Sequence, residues 1–312
     1  MSSSDRVDLS VQVGALRLRN PIITAGGTFG YGVEFAHLVD LNRLGGIVTK
    51  GISKAPIDGA PAPRLCETAS GMLNAVGLQN VGVEAFLQIK LPLLRKYNTH
   101  VIVNVFGYCL EEYAEVIQRL EDAEGISAYE LNISCPNVKK GGMQFGSDPV
   151  LVEEVVGAAR KAAAKHPLWV KLMPLVTDIA VIAKAAQAGG ADALTVANTY
   201  PAMAIDLRTG KSRIGNMTGG LSGPAIKPIT LRLVWEARKA VSIPILGLGG
   251  VETAQDVLEY ITAGASAVQV GTASFSDPKA SEKIVAALER ALTEVNALNF
   301  SELRAKFLGE NG

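Results

Sequence analysis

Eight short apolar runs recur along the chain, each followed by a stretch with helical spacing, and this rhythm limits the possible folds more than any other feature. The runs are 21–25 (PIITA), 46–50 (GIVTK), 100–106 (HVIVNVF), 129–133 (YELNI), 168–172 (LWVKL), 193–197 (ALTVA), 243–247 (IPILG) and 267–270 (AVQV). Helical spacing follows at 33–41, 83–97, 111–122, 149–165, 178–188, 229–240, 253–263 and 278–298. Strands separated by helices pair in parallel, and unbroken Val/Ile/Leu character means that both faces are buried. Eight such units close into an α/β (β/α)8 barrel more naturally than into an open sheet. No GxGxxG turn follows the first strand, as a dinucleotide-binding open sheet would require. No linker divides the chain, so one domain is expected over residues 1–312. Before the first run, VQV and LRL flank Gly14-Ala15 and read as a short N-terminal β-hairpin placed to plug the barrel floor.

Charge narrows the function classes. Lys+Arg and Asp+Glu are 30 each, which argues against a nucleic-acid binder driven by phosphate contacts. MSSSDRVDLS has neither a basic nor an apolar leader region, and no apolar run reaches the ~20 residues of a membrane span. Cys66, Cys109 and Cys135 are widely spaced with no CxxC pair, so neither a zinc site nor an iron–sulfur cluster is expected on this chain. A reduced, cytoplasmic protein is the expectation.

In such a barrel, catalytic groups sit at the C-terminal ends of the strands. Those ends place Lys50, Lys171, Asn104, Asn132 and Asn198 around one mouth, with no Asp/Glu/His metal cluster and no carboxylate pair. A lone strand lysine often snorkels to the rim. Two at equivalent ends point to function, and three asparagines suit an amide- or imide-bearing ring. Cys135 lies just past a strand end and before a proline, whereas Cys66 and Cys109 read as structural or incidental. His37, His100 and His166 fall away from the strand ends and receive no catalytic role.

Gly249-Gly250 after the seventh run and Gly271-Thr272 after the eighth form the best cofactor signal. Glycine pairs let backbone N–H groups approach a phosphate, and this is the usual phosphate position in (β/α)8 enzymes. Gly223 in GGLSGPAIKP would add a contact from the long sixth loop. The pattern alone fits either FMN or a phosphorylated substrate. Lys171 is equally two-sided: it would stabilise an anionic reduced flavin or form a Schiff base. The asparagines and Cys135 favour the flavin, because a thiolate is a competent base for a C–H beside a carbonyl.

Taken in order, TKG (49–51), NAVGLQN (74–80), NVFG (104–107), NISCPN (132–137), VKL (170–172), ANT (197–199), GLSGPAIKP, GLGG and GTA resemble the motifs of the dihydroorotate dehydrogenase family over nearly the whole chain. The resemblance implies FMN-dependent oxidation of dihydroorotate to orotate in pyrimidine synthesis. Cys135 would take the C5 proton while hydride passes from C6 to flavin N5. Lys50, Asn74, Asn132 and Asn198 would hold the pyrimidine and its carboxylate, joined by Ala75, Val76, Gly77, Leu78 and Thr199. Ala25, Thr49, Lys50, Asn104, Asn132 and Lys171 would line the FMN. Ala197, Gly223, Gly249, Gly250, Gly271 and Thr272 would complete that lining. The membrane-bound class has serine as base, so Cys135 places the chain with the soluble forms. SCPNVKKGGMQFGSDP is similar to the class 1B catalytic subunit. That class implies a homodimer core paired with an iron–sulfur flavoprotein subunit carrying FAD and a 2Fe–2S cluster, with NAD+ as acceptor. The alternative is the soluble class that uses fumarate.

Overall fold

The computed structural model describes residues 7–134 and 145–311. Eight parallel strands close into a barrel: Ile22–Thr24, Gly46–Val48, His100–Val105, Ala128–Asn132, Leu168–Lys171, Ala193–Val196, Ile245–Leu248 and Ala267–Val270. Each pairs with its neighbours in chain order, and Gln269 opposite Ile23 closes the ring between the eighth strand and the first. The fold is the expected (β/α)8 barrel.

The outer helices follow from their spacing. In Leu110–Leu120 the buried residues are Tyr113, Val116, Ile117 and Leu120, one stripe at helical period. Helix Pro149–Ala162 starts where Asp148 accepts the N–H groups of Val150 and Leu151, with proline at the first turn where no N–H is needed.

Inside the barrel, side chains alternate in and out along each strand. Ile23, Val48, Ile102, Ala128, Trp169, Ala193, Leu246 and Ala267, one from each strand, pack into a dry layer at the lower end. Hairpin strands Val11–Val13 and Leu16–Leu18 add Val13 and Leu18 beneath it. The hairpin does plug the floor.

Four expectations need correction. Residues 33–41 form two short 3-10 turns, Val33–Phe35 and Leu41–Arg43. Gly32 enters the first at φ 92°, and Asp40 starts the second by accepting the N–H of Asn42. The helix at 83–97 is interrupted by a π segment, Phe86–Lys90, between Gly82–Ala85 and Leu91–Leu94. Pro92 has no N–H to donate and its ring crowds the carbonyl four residues back, so the preceding turn widens. The last helix ends at Glu294 rather than near 298. Asn296 at φ 54° ends it, with its N–H on Thr293 and that of Ala297 on Leu292, and a further helix spans Phe300–Asn311. Finally, the two stretches read as loops build a roof. Leu65–Thr68, Gly71–Asn74, Gly219–Ser222 and Tyr200–Ala202 form a four-stranded antiparallel sheet above the barrel mouth.

Candidate active site

Two residues above the dry layer, the same alternation turns Ala25, Lys50, Asn104, Glu130, Lys171, Thr195, Leu248 and Gln269 inward. The barrel changes from apolar to polar within one step along six of the eight strands, with Ala25 and Leu248 the exceptions. Above this ring, under the antiparallel roof, lies a cavity of about 400 Å³. That is within the range of small-molecule and cofactor sites.

Lys171 is buried at the cavity floor, and Lys50 stands partly buried in its wall. Burial pushes the Lys171 ammonium below the usual lysine range, with Glu130 pulling it back up. Lys50 is lowered first by burial and then by the like charge of Arg64. Both are cations held partly out of water, and such groups gain most from an anionic partner.

The amides are oriented. Asn104 Nδ2 donates to the Glu130 carboxylate at 2.8 Å, which only accepts, so the Asn104 oxygen is its free end. Asn198 Nδ2 donates to Asn132 Oδ1 at 3.2 Å, and the N–H of Ser134 reaches the same oxygen at 3.4 Å. The Asn132 NH2 group therefore has no partner among the described residues. Asn198 Oδ1 accepts the N–H of Thr199, and Asn74 Nδ2 donates to the carbonyl of Gly220 in the roof. The cavity thus offers Asn132 as donor, Asn74 and Asn104 as acceptors, and two cations.

At the other end the wall is glycine. Gly250 has φ 66°, and a Cβ there would stand 2.8 Å from the carbonyl oxygen of Gly223. Gly223 has φ 98°, and its Cβ would lie 2.7 Å from the Cα of Gly71. Three backbone segments therefore approach more closely than any side chain allows. Asp256 holds the turn in place by accepting the N–H groups of Glu252 and Thr253, and the Lys227 ammonium binds its other oxygen at 2.5 Å. Thr272 Oγ1 donates to Ser222 Oγ at 2.8 Å and ties the eighth-strand turn to the roof.

Most residues expected at the site line this one cavity. Ala25, Lys50, Asn104, Asn132 and Lys171 do so from the first five strands, and Ala197, Asn198 and Thr199 from the sixth. The 74–78 segment (Asn74, Ala75, Val76, Gly77 and Leu78) forms one wall, with Leu78 in the left-handed region at φ 57°. Gly223, Gly249, Gly250, Gly271 and Thr272 form another. Thr49 stands outside the lining; it is buried, and its hydroxyl accepts the N–H of Asn104 at 3.3 Å. Cys135 lies outside the described residues. His100 sits at the opposite end of the barrel, bonded to Ser127 and to the carbonyl of Arg17. Sequence reasoning missed Glu130 and Gln269, which lie below the cavity, and the roof residues Met72, Asn216, Thr218 and Ser222, which line it. A charged or amide residue in an otherwise apolar run, as in AYELN and AVQV, was the available signal for the first two.

The chain is also similar to known proteins. The family model described as dihydroorotate dehydrogenase matches residues 8–292. A relative from Pelobacter propionicus is 54% identical over 296 residues, covering 95% of this chain and 97% of its own. One from Trichlorobacter lovleyi is 54% identical over 295 residues, covering 95% and 97%. One from Geobacter sp. strain M21 is 52% identical over 298 residues, covering 96% and 97%. Each of these proteins is named dihydroorotate dehydrogenase B (NAD(+)), catalytic subunit.

Proposed function

The chain belongs to the dihydroorotate dehydrogenase family, and on that premise we propose that it oxidises dihydroorotate to orotate in pyrimidine synthesis with FMN in the barrel-mouth cavity. The observation that carries the reading is the convergence of two partly dehydrated lysines and oriented asparagines on one glycine-walled cavity.

The residues present fit FMN. Gly223, Gly249, Gly250, Gly271 and Thr272 line one wall of the cavity, where backbone bare of side chains would let a phosphate approach. Lys171 and Asn104 would face the flavin ring, with Ala25, Lys50, Asn132 and Ala197 completing its surroundings and Thr49 bracing Asn104 from outside the lining. When bound, FMN would supply the two-electron acceptor for the hydride leaving C6 of the substrate. Lys171 would hold positive charge against the ring edge where negative charge develops. Lys50 would pair with the substrate carboxylate, while Asn74, Asn132, Asn198 and Thr199 fix the pyrimidine by donors and acceptors already set by their protein partners. The 75–78 backbone would close that side. Cys135 Sγ would take the C5 proton as a thiolate.

Electrons would pass to NAD+ through a separate iron–sulfur flavoprotein subunit with FAD and a 2Fe–2S cluster, docked on a homodimer of this chain. The words "B (NAD(+)), catalytic subunit" in the relatives' names support that assignment. The test is an anaerobic assay with dihydroorotate in which NAD+ is reduced only once such a subunit is added. Turnover with fumarate by the chain alone would move it to the other soluble class. A borohydride-trapped adduct on Lys171 would replace redox chemistry by an imine.

A further inference from the structure

Glu130 is an ionisable side chain in the barrel interior that the chemistry above does not use. It rises from the middle of the fourth strand and is fully buried. A carboxylate there is costly unless it is satisfied by donors or by a cation. Its oxygens collect donors from three other strands: Asn104 Nδ2 at 2.8 Å on Oε1, with Thr195 Oγ1 at 2.7 Å and Gln269 Nε2 at 2.5 Å on Oε2. Three donors from three strands thus supply the hydrogen bonds that a buried carboxylate needs. Gln269 shows the same polarity. Its Nε2 serves Glu130 and Thr195 while its Oε1 is buried with no partner among the described residues.

The inward ring around Glu130 holds two cations, Lys171 on the adjacent strand and Lys50 on the second. Its other members, Ala25, Asn104, Thr195, Leu248 and Gln269, do not titrate. Asn132 lies opposite Lys171 in the strand register, and Arg64 bears on Lys50. Glu130 and Lys171 stand on adjacent, paired strands of this inward ring, and the Glu130 carboxylate favours the Lys171 ammonium against the penalty of burial.

We propose that Glu130 is a positioning residue that keeps Lys171 charged at the cavity floor, acting through the field of a carboxylate locked in place by Asn104, Thr195 and Gln269. Its value to the reaction rests on the flavin reading of the cavity; the charge state of Lys171 itself does not. The fourth strand thus carries a fixed anion that prepares the fifth-strand cation before any ligand arrives.

The test uses the FMN-free full-length chain. Trace modification of lysines by acetic anhydride, mapped by mass spectrometry from neutral to alkaline pH, reads the midpoint at which Lys171 loses its proton. In Glu130→Gln that midpoint should fall by at least about one pH unit, a tenfold change in the protonation equilibrium. Glu130→Asp disturbs the same hydrogen bonds but keeps the charge, and should hold the midpoint near the wild-type value. An unchanged midpoint in Glu130→Gln, or an equal fall in both variants, would overturn the proposal and leave Glu130 a packing residue. If Glu130→Gln does not fold, the wild-type midpoint decides: above neutrality supports the proposal, below it overturns it. Failure of the wild-type chain to bind FMN would sink the flavin reading and leave this titration intact.

Discussion

Cys135 and Lys50 carry the most exposed residue-scale claims. If the Cys135 thiolate is the base, Cys135→Ala should lower anaerobic turnover of dihydroorotate by about 10²–10⁴-fold with FMN still bound. Cys135→Ser should be slow at neutral pH and recover as pH rises, because a hydroxyl is far harder to deprotonate than a thiol. Full turnover in the alanine variant would remove Cys135 from the chemistry. Lys50 makes a prediction of opposite sign in pH. It binds a carboxylate only as an ammonium, and burial has lowered its pKa from 10.5. Orotate affinity should therefore weaken as pH rises through a value below 10.5, and Lys50→Met should flatten that dependence. A titration of orotate binding in wild type that stays level up to 10.5 would contradict this. Lys50, Lys171 and the asparagines were legible because a polar residue ending an apolar run has few places to go in a barrel. Glu130 and Gln269 were harder to read. Each looks like an ordinary interruption until the strands close and bring them together from positions 139 residues apart.

Legibility at the scale of elements follows the range of the interactions. Apart from 33–41, which forms 3-10 turns, and the interrupted 83–97, barrel strands and outer helices are written in local periodicity and were placed within a few residues. The roof sheet was not, because Gly219–Ser222 has no apolar alternation and is a strand only by pairing with Tyr200–Ala202 on one side and with Gly71–Asn74, far away in sequence, on the other. The π segment at Phe86–Lys90 was hidden for another reason: Pro92 inside a helical pattern signals a disturbance but not its form. Two element-scale outcomes follow. Gly250→Ala puts a Cβ 2.8 Å from the Gly223 carbonyl oxygen in a left-handed backbone, so FMN affinity should fall at least about tenfold and the melting temperature should drop. Equilibrium dialysis and thermal unfolding would show it. Trp169→Ala empties the largest side chain from the dry layer, and should cost about 3–5 kcal/mol in urea unfolding. A loss below about 1 kcal/mol would mean that the floor repacks.

The whole molecule divides along the barrel axis. The lower half is a dry plug of hairpin and strand residues, and the upper half is a polar ring, a cavity and a roof. Stability and chemistry are thus assigned to opposite ends of the same strands, which lets the site hold partly dehydrated lysines against a rigid floor. Among the described residues no helix is long and apolar enough to cross a membrane. The central claim is that the upper cavity joins FMN to dihydroorotate. Its most direct test is the visible spectrum of the purified chain, taken anaerobically before and after dihydroorotate is added. The expected result is a yellow protein that bleaches, with orotate formed in equal amount to the flavin. A colourless protein that cannot be reconstituted with FMN, or a yellow one that dihydroorotate leaves unchanged even with its partner subunit present, would contradict it.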